Sequence, residues 1–595
     1  MSDTAQAPGF ATRHPGRAVE TRLIGGRPQV VAWDLATGRR RVLTDHPEGV
    51  ELSEIEPDGE HVWWFDSDDA GEGTWRRQPF TGGPASPALG GVPPGAAHGI
   101  AFDRAGSLAA AVRGGGGASH CHLGEPSGPA RLLGSLPGCV TLIDMTPGGE
   151  SLVLAGEPDG ADAVVLWPCR GGDRHTLRGS PGARIWPMEF HPDDGALLLL
   201  VLEDARGYRV ATWRPTTEPL PRDVPGLCFP SEISARWHGP GRGVLVQHDR
   251  AGRSRLVSAD PDHGTRSSVP LPAGTLHDLS SAPDSTLHAV WSREGTPPRP
   301  LVLRPGSAHC EAEDRSARPD AARRSERWTA ARTGGRVHSF VTTPPGEGPW
   351  PTVFLVHGGP ATHDRDCHDP RIAPLVETGH AVVRANYRGS TGYGPRWQHG
   401  WGHRVGRAQI EDLAAVRAQL TAEEVALPGR IGLCGFSWGG YLTLLALGVQ
   451  PDLWSWGVAA YPIADYVAAH RATTPALRAV DRRLFGGDPD EVPERYRAAC
   501  PMTYVHRVRA PVLLVSSPAD SRCPPGQVDR YAEELRRLGL PHETLRVGGG
   551  HRSRRSGDHA RVLAEVLRFV GARGAPPPSV RPPSGAGSPR LRERR

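Results

Sequence analysis

Six copies of one pattern run through the first half of the chain: an apolar strand, a turn built on Pro, Asp or Gly, and a second apolar strand. They read SEIEPDGEHVWWF from Ser53, GIAFDRAGSLAAAV from Gly99, LIDMTPGGESLVLA from Leu142, PMEFHPDDGALLLLV from Pro187, ARWHGPGRGVLVQ from Ala235 and LSSAPDSTLHAVW from Leu279. Their turn positions, Pro57, Asp103, Pro147, Pro192, Pro240 and Pro283, are 46, 44, 45, 48 and 43 residues apart. A lone strand pair cannot bury its apolar face, so evenly spaced copies must stack on one another. Spacing of about 45 residues with several short strands per copy is that of a β-propeller blade. With a partial copy at residues 21–44, the pattern predicts about seven blades over residues 20–305, preceded by an N-terminal segment, 1–19. An irregular β-sandwich is the competing arrangement, but nothing would hold its strand spacing constant over six copies.

Residues 306–327 turn polar and rich in Arg, Asp and Ala, which predicts a linker. Over 328–573 the pattern changes to strands alternating with helical stretches: TVFLVHGG, AVVRANYRG, a helix near Gln409 to Gln419, RIGLCGFS, a helix after Ser437, VAAYP, PVLLVSS and a last helix from about Asp558 to Val570. Such alternation predicts a parallel-sheet α/β unit of the α/β-hydrolase kind. The remainder, 574–595, is Gly574 followed by APPPSVRPPSGAGSPRLRERR; it is too poor in apolar residues to pack and predicts a disordered tail.

Composition narrows the function. The formal net charge is +4, spread along the chain, and all 69 basic residues are Arg, so no basic stripe marks a nucleic-acid binder. The nine Cys include no Cys-x-x-Cys pair, which argues against a disulfide framework or a zinc site and predicts reduced thiols and a cytoplasmic location. The first residues lack an apolar signal core and the longest apolar runs are far too short to span a bilayer, so neither export nor membrane insertion is expected.

The chemistry centres on Gly435-Phe-Ser437-Trp-Gly439, set between a short apolar strand and an apolar helix. That setting makes a Gly-x-Ser-x-Gly turn a nucleophile elbow rather than a plain loop. A serine hydroxyl needs a base, and the base needs an orienting carboxylate. In chain order Ser, acid, His, the candidates are Asp520, after the strand PVLLVSS, and His551, after ETLRV and three glycines. An oxyanion hole is also required; His357-Gly-Gly359-Pro follows the strand ending at Val356, so Gly359 N–H and the N–H of Trp438 are the candidate donors. Trp438 and Tyr461 are candidates to line an apolar pocket; Arg522 is a candidate for the pocket or for a bridge to the propeller, with bracing its own loop the favoured role. The run His363-Asp-Arg-Asp-Cys-His-Asp369 holds ligand residue types without a spacing that fixes a geometry, so it predicts a polar rim loop and no metal.

The set HGGP at 357, NYRGSTGYG from Asn386, GFSWGGY at 435, ADSRCPP at 519 and GGGH at 548 resembles the prolyl oligopeptidase family of serine peptidases, in particular its acylaminoacyl-peptidase and dipeptidyl-peptidase-like branch. The resemblance implies a peptidase needing no cofactor, with Ser437 as nucleophile, His551 as general base and acid, Asp520 as orienting carboxylate, and a propeller that admits only short peptides. Departures from the pattern are His357, where the proline-specific enzyme places a Tyr in its oxyanion hole; Arg552 to Arg555 after the catalytic His, where relatives carry Gly-Phe; and Ser516-Ser517 before the acid loop. No paired propeller glutamates for a free amino terminus stand out. An esterase or thioesterase with the same triad, and an inactive propeller scaffold, are the alternatives; self-association into a homo-oligomer is left open.

Overall fold

The computed structural model describes residues 6–68, 71–156, 164–180, 182–239, 241–304, 322–551 and 556–574. Residues 575–595 of the disordered tail expected from 574, most of the expected linker, Pro240 and the Arg552 to Arg555 run lie outside these residues.

The N-terminal half is a β-propeller made of antiparallel sheets in chain order. Four-stranded sheets start at Gly9, Thr141, Arg184 and Ile233, and a three-stranded sheet runs from Thr275 to Leu303. Between the first and second of these lies an eight-stranded sheet, in which the strand Glu72–Pro79 pairs with Gly95–Phe102 through Glu72↔Ala96 and Gly73↔Gly95. Pro57, Asp103, Pro147, Pro192 and Pro283 each fall between the first two long strands of a repeat, as the pattern required. The propeller begins before residue 20, because Arg17–Ile24 is already a strand and Gly9–Phe10 pairs with it.

Apolar residues on both faces of each strand pack against neighbouring sheets. In the strand Leu198–Asp204, Leu198 to Val201 are at most 2% exposed, and Leu198 and Leu200 join a different cluster from Leu199 and Val201. Burying each such side chain stabilises the fold by roughly 2 kcal/mol. Carboxylates link successive sheets: Phe190 N–H donates to Asp144 Oδ2 (2.9 Å), and Trp237 N–H donates to Glu189 Oε1 (2.5 Å).

The C-terminal half is one eight-stranded sheet. Its strands are β1 (Arg323–Ala330), β2 (Arg336–Thr343), β3 (Trp350–Val356), β4 (Ala381–Asn386), β5 (Ala426–Phe436), β6 (Gly457–Ala460), β7 (Val512–Ser516) and β8 (His542–Arg546). The order is β1-β2-β4-β3-β5-β6-β7-β8, antiparallel through β1, β2 and β4 and parallel from β4 to β8. This corrects the linker boundary: residues 323–327 are sheet, paired with 339–343. β1 pairs on one side only and is largely exposed, so it tolerates the charged sequence that reads as linker.

Helices cover both faces. Trp438–Val449 is buried nearly all round and packs with Phe354, Leu433 and Leu514, while Val562, Val566 and Phe569 of the helix Ser556–Gly574 cover Val353, Val458 and Leu513. The loops after β3, β5, β7 and β8 therefore gather at the carboxyl edge of the parallel strands, where α/β sheets build their sites.

Candidate active site

Ser437 follows β5 with φ 55° and ψ −118°, outside the ordinary wells for a side-chain-bearing residue. Its N–H donates to Ala460 O (2.8 Å) and its carbonyl accepts from Tyr441 N–H (2.9 Å), so β6 and the following helix hold the strained turn. The flanking glycines are sterically required. A Cβ on Gly435 would lie 2.1 Å from Gly439 O, and one on Gly439 would lie 2.0 Å from Val356 O. The N–H groups of the helix's first turn, beginning at Trp438, have no intrahelical acceptors and carry the positive end of the helix dipole to the serine.

His551 Nε2 is 3.0 Å from Ser437 Oγ and His551 Nδ1 is 2.8 Å from Asp520 Oδ2. Asp520 is 3% exposed. Its Oδ1 accepts the N–H groups of Arg522 (2.9 Å) and Cys523 (2.8 Å), so both carboxylate oxygens are engaged and the side chain is locked. With Asp520 on Nδ1, the ring presents Nε2 to the serine, the arrangement a general base requires. Ser437, Asp520 and His551 come from three separate strand ends, and the fold brings them together in the expected order.

The other candidates fare unequally. Gly359, at φ 123°, lies in the loop after β3. Its neighbour Gly358, which the motif alone did not single out, lies against the nucleophile: a Cβ there would be 3.6 Å from Ser437 Cβ. His357 is stacked on Tyr387 at 4.1 Å, with Nε2 2.8 Å from Ser390 Oγ, and Tyr387 OH donates to the His357 carbonyl (2.7 Å). Burial depresses the His357 pKa, which favours a neutral ring. Tyr387 and Ser390 belong to the NYRGSTGYG segment, so the motif was visible but its supporting role was not.

The Trp438 indole is 4% exposed, sits in the main core cluster and packs against Tyr441 and Tyr466. It is a core side chain, which corrects its reading as a pocket wall, because the elbow aims the residue after the serine into the helix-covered face. Tyr461 is 9% exposed with its ring 6.0 Å from His551; burial pushes its phenol up to about 12. Arg522 engages the acid loop through its backbone, and its side chain is exposed. The cavity beside that loop, about 530 Å³, is lined by residues including Asp465, Val467, Arg471, Pro524 and Arg530, with neither Tyr461 nor Arg522 among them.

Among the described residues, one group of ligand-type atoms lies close enough to hold a metal, with Asp520, Cys523 and His551 within 4.8 Å of one another. Two of the three are the hydrogen-bonded pair just described, and burial keeps the Cys523 thiol protonated, so the geometry serves proton transfer. The His363 to Asp369 run is used structurally: His363 Nδ1 meets Thr391 Oγ1 (2.8 Å), Asp364 N–H meets Asn386 Oδ1 (2.7 Å) and Asp369 pairs with Arg371 (2.5 Å).

An α/β-hydrolase unit with a Ser–His–Asp constellation, joined to a propeller, is the class these features define. Residues 368–573, within the hydrolase unit, match the model of the prolyl oligopeptidase family. The dipeptidyl peptidase family member 6 of Caenorhabditis elegans is 26% identical over 198 residues, covering 32% of this chain and 27% of that protein. The acylamino-acid-releasing enzyme of Mus musculus is 29% identical over 200 residues, covering 33% and 27%. The matched stretch thus spans about a quarter of these relatives' own length. A puromycin-hydrolysing peptidase of Mycobacterium tuberculosis superposes with a TM-score of 0.82 at 21% identity, covering 96% of this chain and 94% of that one, so the two share the whole two-part fold. No helix among the described residues is long and apolar enough to cross a membrane.

Proposed function

We propose that this protein is a serine peptidase that hydrolyses short peptides through an acyl-enzyme. The observation that carries this reading is the hydrogen-bond chain from Ser437 through His551 to Asp520, at 3.0 and 2.8 Å. Ser437 attacks the carbonyl as His551 takes its proton, and the leaving amine collects that proton from the same nitrogen. Water, deprotonated by His551, then releases the acyl group. The N–H groups of Gly359 and Trp438 receive the developing oxyanion, each contributing a few kcal/mol to the transition state. The propeller restricts entry to short chains, and its blades number seven if the eight-stranded sheet is two blades joined edge to edge.

The relatives' names favour acylated or free amino-terminal substrates, including aminoacyl amides of the puromycin kind. The site needs no cofactor in this mechanism, and the cytoplasm is the setting we propose. A fluorophosphonate probe should label the protein and leave Ser437→Ala unlabelled; absence of labelling in both would defeat the enzyme reading. A peptide library analysed by mass spectrometry then reports the cleavage site. Turnover of aryl esters with no peptide cleaved would replace the peptidase by an esterase.

A further inference from the structure

Two loops build the floor beneath the proposed oxyanion hole, residues 357–366 after β3 and residues 387–394 after β4, and the propeller grips both. Thr391 N–H donates to Thr362 O (3.1 Å) and His363 meets Thr391, so the loops form one unit. Ser390 and Tyr387 fix His357 at its start. At Gly392 both backbone groups bind propeller atoms: its N–H donates to Glu232 Oε2, and its carbonyl accepts from Ala251 N–H (3.1 Å). At the far end, Asp366 N–H donates to Gly252 O (2.7 Å), while its carboxylate accepts from Arg253 Nε (3.0 Å) and Glu294 N–H (3.2 Å).

The gripping element is itself constrained. Ala251 is held at φ 49° and Gly252 at φ 76° in the hairpin turn between Val244–Arg250 and Arg253–Asp260. A left-handed alanine costs about 1 kcal/mol, so the surroundings must enforce it. A Cβ on Gly252 would lie 2.7 Å from Phe340 Cζ of β2, which leaves no slack between turn and hydrolase unit.

We infer that Glu232, with Asp366 at the opposite end, is a positioning residue for acyl transfer: through Gly392 and the Tyr387–Ser390–His357 contacts it sets the loop that carries the oxyanion donor. The inference rests on the proposed serine chemistry. Oxyanion contacts strengthen in the transition state, so a loosened loop lowers kcat while leaving KM in place, whereas a merely opened propeller alters substrate entry and KM.

The test compares Glu232→Ala, Glu232→Gln and Asp366→Ala in the full chain, using a chromogenic acyl ester, fluorophosphonate labelling rates and thermal melting. Glu232→Ala should lower kcat and the labelling rate about ten-fold or more with KM within about two-fold. Glu232→Gln keeps an acceptor for Gly392 N–H and should stay within about three-fold of wild type. Asp366→Ala should show the kcat loss again, which keeps the test decisive if Glu232→Ala does not fold. Wild-type kcat in Glu232→Ala or Asp366→Ala overturns the inference, as does an equal loss in Glu232→Gln that follows a lower melting temperature. Wild type unlabelled by the probe would overturn the serine chemistry as well, while a labelled wild type with unchanged variants overturns this inference alone.

Discussion

Removing the Glu294 carboxylate alone should destabilise the joint between propeller and hydrolase more than removing it together with its buried partners Arg384 and Thr342. Glu294 sits in the turn between the propeller strands Leu287–Arg293 and Thr296–Leu303 and is 6% exposed. It binds Arg384 of β4, which is 2% exposed, accepts from Thr342 Oγ1 of β2 (2.5 Å) and pairs with Arg324 of β1 (3.1 Å). Glu294→Ala leaves the Arg384 guanidinium one carbonyl partner, Arg365 O (2.7 Å), with Asp364 and Asp369 as the remaining nearby carboxylates, and breaking a buried pair by removing one partner costs about 3–5 kcal/mol. Spread over a unit of about 250 residues, that is a fall in melting temperature of order 10 °C. The triple replacement Glu294→Leu, Thr342→Val, Arg384→Met removes the buried pair and the hydroxyl together and leaves Arg324, whose side chain is 40% exposed, to solvent; exchanging a buried pair for apolar groups of similar volume is roughly neutral. Differential scanning calorimetry of wild type, single and triple variants measures the contrast. A single variant within about 1 kcal/mol of wild type, or a triple variant as unstable as the single, would refute the reasoning.

Three further outcomes follow from the site and the propeller. Asp520→Asn keeps the shape but presents an amide to His551 Nδ1, so kcat should fall about 10⁴-fold with KM little changed; a loss under about ten-fold would remove Asp520 from the mechanism. Gly439→Ala places a methyl 2.0 Å from the Val356 carbonyl, so the elbow cannot form and probe labelling of soluble protein should vanish; labelling at the wild-type rate would be incompatible with this turn. Burial raises the Glu189 carboxyl from 4.5 to about 7, so between those values the folded chain holds a proton that the unfolded chain has released. Its contribution is intact below the unfolded value and is lost as pH rises through that window. Glu189→Gln should therefore raise the melting temperature more at pH 8 than at pH 5, and a pH-independent effect would contradict the assignment.

The parts of this molecule that the sequence makes legible are those whose physics is local. Each proline or aspartate turn marks a repeat because a tight reversal between two apolar strands needs such a residue where it stands. Ser437, Asp520 and His551 can be read because each ends a strand, and a parallel sheet brings strand ends to one edge whatever lies between them. Local reasoning fails where side-chain direction or distant partners decide. Trp438 reads as a pocket wall from its place beside the nucleophile, yet the elbow turns its indole into the core. β1 reads as linker because an edge strand with one paired side can carry charge. Glu232, Glu294 and Arg384 leave no local signature, since an acid in a propeller turn becomes informative only when a β4 residue or a backbone N–H from the loop after β4 meets it. The grip on residues 357–366 and 387–394 is of that second kind: its donors and acceptors are drawn from Glu232, residues 251–253 and Glu294 on one side and Asp366 and Gly392 on the other. The triad geometry can thus be inherited from the sheet alone, while the oxyanion loop depends on two units of the chain being docked, which makes kcat of propeller variants the sharper measure of whether docking and chemistry are coupled.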